Sequence, residues 1–246
     1  MLEETTRNRG QHPNDTKIFA PKWRPIFKDA VDDLCYLLSR GYGGNSAVEI
    51  VGNRYQLNKR QRMAVSRMAA SDAEILNRRS KQITAEKLEG QVVEIDGFNL
   101  LILLENALSG AYIFQCRDGT YRDISSVHGS YKRVTKTAFA IELVGEVLQQ
   151  LRVQKVRWLL DSPVSNSGRL LHFLAELSER KGYNWEMKLV FDPDKVLAIS
   201  QLVVISSDGE ILNSAQRWFN LGEYLVDNYL KTIMSDSGSN LRIMSC

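Results

Sequence analysis

Apolar residues between positions 25 and 41 recur at helical spacing, through Ile26, Phe27, Ala30, Val31, Leu34, Leu37 and Leu38. The run ends at Gly41, so a first helix is predicted there. Ser46 is placed to cap a short second helix over 47–51, Gly52 to permit a turn, and Asn58 to cap a third helix from Lys59 to about Ala70. From Gln91 the period changes. Short apolar runs at 92–95, 156–160, 187–191 and 202–206 alternate with longer segments of helical period at 98–108, 135–151, 167–181 and about 212–229. That alternation predicts an α/β domain with a central, mostly parallel sheet and helices on its faces. Residues 112–116 and 121–125 flank Asp118-Gly119, a type I′ turn signal, and read as a hairpin inserted into that layout.

The expected organisation is a polar, frayed N-terminal tail (1–24), a small all-helical module (25–88), an α/β domain (90–232) and a flexible, Ser- and Gly-containing tail (233–246). The polar stretch 71–89 extends the module as an exposed helix running into a linker near Gly90. Residues 193–200 read as a short connection between strands.

Composition adds little until it is divided along the chain. Of 246 residues, 43% are hydrophobic, enough for a packed core, and 32 basic against 29 acidic side chains leave a net charge of only +3. Residues 1–86 hold 15 of the basic and 10 of the acidic groups, so the helical front is basic and the remainder slightly acidic. The three cysteines, Cys35, Cys116 and Cys246, show no C-x-x-C spacing, which argues against a zinc site or a disulfide framework and fits a reducing cytoplasm. No apolar run approaches the ~20 residues of a membrane span, so no membrane partner is expected.

The candidate chemistry lies where apolar runs stop. Three of them end on aspartate, at Asp96, Asp161 and Asp208. In an open parallel sheet the carboxyl ends of the strands share one rim, where ligands bind in α/β folds. Carboxylates gathered there repel one another, and a divalent cation such as Mg²⁺ or Mn²⁺ relieves the repulsion. Asp96 is followed by Gly97, Phe98 and Asn99, so that an amide at the start of the next helix stands beside the carboxylate. Ser162 and Ser207 place hydroxyls next to Asp161 and Asp208. Each aspartate taken singly also reads as a helix N-cap.

The second and third helices are spaced like a helix-turn-helix, with Arg54, Lys59, Arg60, Arg62 and Arg67 on or beside the third, which suits phosphate contact or a solvated face equally. Ser167-Gly168-Arg169 offers amides and a guanidinium for a phosphate. His128, Tyr131, Lys132 and Arg133 read more simply as a solvated loop, the alternative being a lid that touches substrate with the tyrosine stacking on a base. A serine-hydrolase triad is excluded, because no G-x-S-x-G elbow is present.

Ile95-Asp96-Gly97-Phe98-Asn99-Leu100-Leu101 resembles the opening motif of the NYN branch of PIN-like ribonucleases, especially its YacP-like group. Leu159-Leu160-Asp161-Ser162 and Val204-Ile205-Ser206-Ser207-Asp208 resemble that group's second and late strand ends, in the same order. From about 25 to 230 the chain is also similar to uncharacterised bacterial and archaeal proteins with the same two-part layout. The resemblance implies a PIN-like three-layer fold and Mg²⁺- or Mn²⁺-dependent cleavage of RNA, leaving a 5′-phosphate. Asp96, Asp161 and Asp208 would be metal ligands, Asn99 and Ser162 would orient the surroundings, and Asp194 would be a fourth acid.

One segment departs from the family pattern. Where the YacP-like group carries an acidic cluster after its third strand, this chain has Phe191-Asp192-Pro193-Asp194-Lys195. Glu142 is a reserve acid that reads more simply as a surface charge. The departure supports an alternative, a non-catalytic nucleic-acid-binding or regulatory protein on the same fold, and the rim also suits a phosphotransferase acting on a nucleotide. A homodimer is compatible with the chain.

Overall fold

The computed structural model describes residues 9–125 and 131–245. It opens with a helical front: α1 (Asp15–Ile18), a 3₁₀ turn over Pro21–Trp23, α2 (Arg24–Ser39), α3 (Gly44–Arg54), α4 (Lys59–Met68) and α5 (Asp72–Lys81). The α/β part follows as β1 (Val92–Asp96), α6 (Gly97–Leu108), β2 (Tyr112–Gln115), β3 (Tyr121–Arg122), α7 (Thr137–Gln150), β4 (Lys155–Asp161), α8 (Ser167–Lys181) and β5 (Trp185–Val190). It continues through α9 (Pro193–Ala198), β6 (Val203–Ile205), α10 (Gly209–Ser214), β7 (Arg217–Trp218), α11 (Leu221–Leu225), a π-turn over Val226–Leu230, α12 (Lys231–Asp236) and β8 (Arg242–Met244).

Among the described residues the main sheet has five strands in the order β5-β4-β1-β6-β7, all parallel. Helices cover both faces, giving the expected three-layer α/β architecture. The chain leaves β1 toward β4 and β5 on one side and returns to β6 and β7 on the other, so the strand order reverses between β1 and β6. A crevice outside the carboxyl ends of the strands forms at such a reversal. The helix α6 is buried on nearly every side, as its unbroken apolar sequence requires. Gly97 starts it because a Cβ there would meet the carbonyl oxygen of Leu159 at 3.0 Å; α6 thus begins tight against β4.

Several expectations need correction. Gly52 is not a turn; it lies inside α3, where a Cβ would collide with the Arg62 side chain at 2.5 Å, so it admits close packing of α4. The turn falls at Tyr55–Asn58, with Gln56 at φ 52°, and Asn58 then caps α4 with Gln61 in a reciprocal box. The N-terminal segment from residue 9 is docked: Asp15 is buried on Arg60 at 2.6 Å, and the ring of Phe19 packs against Phe27 and Phe114. The C-terminal segment is not loose either, because β8 pairs in parallel with β2 and buries Met244.

The hairpin is a joint rather than an ornament. The strands β3, β2 and β8 form a second small sheet, and Phe114, Cys116, Ile124 and Met244 pack into the same apolar cluster as Phe19, Phe27, Val31, Leu34 and Met68 of the helical front. Nor is 71–89 an exposed helix, since Arg78 of α5 is buried. Residues 193–200 contain α9, capped by Asp192, whose carboxylate accepts from the Lys195 amide at 3.2 Å. The strand β7 interrupts the helical stretch expected over 212–229, because Trp218 is fully buried and donates its indole N–H to the Arg78 carbonyl at 2.8 Å.

Candidate active site

The rim between β1 and β6 is built from Asp96, the last residue of β1, from Asn99 of α6, and from Ser206, Ser207 and Asp208, which follow β6. Asp96 caps α6, accepting from the Asn99 amide at 3.4 Å, and its other oxygen accepts from the Ser206 hydroxyl at 2.9 Å. Ser206 Oγ in turn accepts from the Asp208 amide at 3.0 Å. Asn99 Oδ1 accepts from both the amide and the hydroxyl of Ser207, at 2.9 and 2.8 Å. One short loop, Ser206-Ser207-Asp208, is thereby tied to both Asp96 and Asn99. Asp208 caps α10 through the amides of Glu210 and Ile211. The capping roles foreseen for Asp96 and Asp208 are real, and they coexist with the rim.

Electrostatics links the acids. Burial of Asp96 in the crevice pushes its pKa up to about 7; the Ser206 hydrogen bond opposes this, and the negative charges of Asp194 and Asp208 add to it. Asp194, on the first turn of α9, is raised by desolvation of its carboxyl group and then by Asp208, Asp192 and Asp161. Asp161 is raised by desolvation and by Asp192. Asp194 thus acts on Asp96 and is itself raised by Asp208, Asp192 and Asp161. Lys195 beside it turns instead to Asp192, at 2.7 Å.

Asp96, Asp161 and Asp208 are expected as metal ligands either directly or through water. Among the described residues, no three His, Cys, Asp or Glu side chains stand close enough to share one metal ion. A hydrated Mg²⁺ needs fewer ligands, since it takes one or two carboxylates and keeps several waters. Asp161 Oδ1 is shielded from solvent and has no hydrogen-bond partner, an orphaned acceptor of the kind a cation or its water would satisfy. The donor set fits a hydrated ion held by carboxylates singly and through water, and does not fit a triad that grips the metal directly.

The remaining candidates are dispersed. Ser162 is exposed next to Asp161, and Arg169 is exposed on the first turn of α8. Tyr131 cannot stack on a base: it is buried, donates to Glu105 at 2.5 Å and packs on Phe98. Arg133 lies over the Phe173 ring at 4.7 Å, and the Lys132 carbonyl accepts from Arg9 at 2.6 Å. His128 lies outside the described residues. Glu142 pairs with Arg180 and Lys181, far from the rim chemistry. In the helical front, Arg60 is spent on Asp15, Arg54 pairs with Asp33, and Arg62 braces the Leu57 carbonyl and Asn53. Lys59, Arg62 and Arg67 still line an open groove of about 750 Å³ between α3 and α4, with Asn45, Val48, Leu57, Met63 and Ser66.

Sequence reasoning missed Ser206 and Arg122. Ser206 carried only a weak signal, as one of two adjacent serines. Arg122 carried none, because its importance arises from the hairpin folding back onto the rim. It is buried, donating to the Ser207 carbonyl, the Arg67 carbonyl and the Asp118 carboxylate at 2.6, 2.8 and 2.5 Å.

Residues 85–224, more than half of the chain, match the model of a domain of unknown function, DUF5616. The chain belongs to the DUF5616 family. All four rim aspartates and the hairpin lie within that match. Residues 26–81, spanning most of α2 and all of α3 to α5, match a second model, the protein of unknown function DUF434. An uncharacterised protein of Methanocaldococcus jannaschii is 35% identical over 185 residues, covering 75% of this chain and 88% of the relative. No solved structure matches the chain.

Proposed function

We propose that the DUF5616 rim is a divalent-metal-dependent phosphodiesterase site acting on RNA. The observation that carries this reading is the tie between the ends of β1 and β6, Asp96 to Ser206 at 2.9 Å and Asn99 to Ser207 at 2.9 and 2.8 Å, which sets Asp208 on the same loop, while Asp161 at the end of β4 keeps an oxygen without a partner. Carboxyl groups held near one another raise one another's pKa values, and groups so perturbed at a strand rim mark a candidate functional site. A bound Mg²⁺ or Mn²⁺ would supply that charge, a water of lowered pKa and stabilisation of the scissile phosphate. Asp96, Asp161 and Asp208 would hold it, with Asp194 as the additional acid. Ser206 orients the Asp96 carboxylate, and Asn99 fixes the loop that carries Asp208. The groove cations Lys59, Arg62 and Arg67 would meet phosphates without reading sequence.

A second reading has its own support. The absence of a ready three-ligand cage among the described residues, and the capping bonds of Asp96 and Asp208, favour a nucleic-acid-binding protein that keeps the fold without catalysis. Incubation of end-labelled RNA with the full chain in Mn²⁺ and in EDTA separates the two. Cleavage that requires Mn²⁺, leaves 5′-phosphates and disappears in both Asp96→Asn and Asp208→Asn supports the enzyme. RNA that is bound in a gel-shift assay but left intact under both conditions supports the binding protein and overturns the enzyme.

A further inference from the structure

The outer edge of the main sheet carries features that the rim chemistry does not use. Among the described residues no strand pairs with the far side of β5. The carbonyls of Asn184 and Val190 accept from β4 and its continuation, from Val156 at 3.0 Å and Ser162 at 2.8 Å. Main-chain groups alternate sides along a strand, so residues 185, 187 and 189 direct theirs outward. The Trp185 amide is taken up locally by the Tyr183 carbonyl at 3.0 Å, which leaves the amides of Met187 and Leu189 and three carbonyls on the open edge. Large apolar side chains gather at the carboxyl end of this edge: Leu189 is 44% exposed, Phe191 83% and, on the following α9, Ile199 77%. An uncovered strand edge with exposed apolar side chains invites pairing.

Charge on the α9 face of the sheet indicates what pairs there. Glu94 of β1, Arg157 of β4 and Glu186 of β5 stand side by side in register. Arg157 bridges the two acids, at 3.4 Å to Glu94 and 3.1 Å to Glu186. The row runs negative, positive, negative and stops at the edge on an acid. Lys188, one pleat along on the same face, reaches back to Glu186 at 2.8 Å.

We propose that a second copy of this chain docks on this edge, β5 against β5, antiparallel about a two-fold axis, so that two five-stranded sheets become one continuous sheet. The register follows from the charges. With only the odd-numbered residues facing outward, an antiparallel partner shifts by two residues at a time. Met187 opposite Leu189 would set Lys188 on its own copy, and Met187 opposite Trp185 would set Glu186 on its own copy; like charges directly opposed destabilise a pair. Met187 opposite Met187 sets each Glu186 beside the other copy's Lys188 and carries the alternating row across the axis. The same register uses the donors that are available, Met187 amide to Met187 carbonyl and Leu189 amide to Trp185 carbonyl in both directions. It also covers Leu189 with Trp185 and brings Phe191 opposite Tyr183.

Light scattering after size exclusion, over a wide range of concentration, tests the assembly on the full chain. A dimer is expected. Lys188→Glu sets Glu186 against glutamate twice across the axis and should weaken the dimer about tenfold or more. Lys188→Arg keeps the charge opposite Glu186 and should leave the dimer intact, with circular dichroism confirming that each variant is folded. In a Cys246→Ser background, Met187→Cys should oxidise to a covalent dimer, because directly opposed residues of an antiparallel pair lie about 5.5 Å apart, within disulfide reach. A monomer at every concentration overturns the proposal and makes Lys188 an edge-blocking charge. A dimer indifferent to Lys188→Glu, or one in which Cys at 187 does not cross-link, overturns it as well.

Discussion

Arg122 donates its Nε proton to the carbonyl oxygen of Ser207 at 2.6 Å, while Ser207 donates its own amide and hydroxyl to Asn99. A residue of the hairpin thus holds the loop that carries Asp208 to the rim. The same guanidinium bonds the Arg67 carbonyl at the end of α4, and Asp118 receives both Arg122 and Arg78. The helical front, the hairpin and the rim meet on one buried ion cluster. This is why the DUF434 match and the DUF5616 match do not pack as strangers.

Arg122→Met leaves the Ser207 and Arg67 carbonyls without their buried donor and Asp118 with one arginine. The expected loss is about 3 kcal/mol of folding stability, the usual scale for breaking a buried pair. Urea denaturation measures it. A change below about 0.5 kcal/mol, the size of an ordinary surface substitution, would mean that water replaces the guanidinium.

Asp118 is held well below the usual carboxylate range, to about 2; burial works against this, and Arg122, Thr120 and Arg78 outweigh it. A depressed folded value means that the stabilisation is complete above the unfolded pKa of about 3.9 and is lost as pH falls through 2. Stability of the parent should decline steeply between about pH 4 and pH 2. Asp118→Asn should be less stable at neutral pH, with the gap closing by about pH 2, a trend that thermal melts across this range would reveal.

Asp96 behaves oppositely. Its folded pKa of about 7 exceeds the unfolded value of about 3.9, so the folded state binds the extra proton between these limits and loses stability as pH rises through the window. Asp96→Asn removes the buried charge and keeps a capping oxygen. It should raise stability at pH 8 by on the order of 4 kcal/mol, about three pKa units at about 1.4 kcal/mol each, and leave it unchanged below about pH 4. Equal melting temperatures for parent and variant at pH 8 would show that Asp96 is not desolvated.

Ser206→Ala withdraws the hydroxyl that donates to Asp96, the one hydrogen bond that most lowers its pKa. Carboxyl carbon NMR should then place the Asp96 midpoint higher than in the parent. On the proposed nuclease reading, RNA cleavage in Mn²⁺ should fall at neutral pH and recover partly in more alkaline buffer, where Asp96 ionises. Loss that is equal at all pH values would assign Ser206 to the loop alone.

The alternation through β1, α6, β4, α8, β5 and β6, the parallel sheet and the strand-end positions of Asp96 and Asp161 were legible in the chain itself; α9, β7 and β8 were not, and Asp208 lies past the end of β6. Apolar period is a local property, and a residue that closes an apolar run lies at a strand end wherever the strand goes. Asn58 as the cap of α4 and Gly182 as the end of α8, at φ 68°, were legible for the same reason. Tertiary structure decided what stands beside what. It tied Asp96 to Ser206, buried Tyr131 on Glu105 and drew Arg122 onto Ser207, and it brought Phe19 and β8 onto the hairpin. These are relations between residues up to about a hundred positions apart in sequence, fixed by packing of the hairpin and α9 against the rim, and no local pattern encodes them.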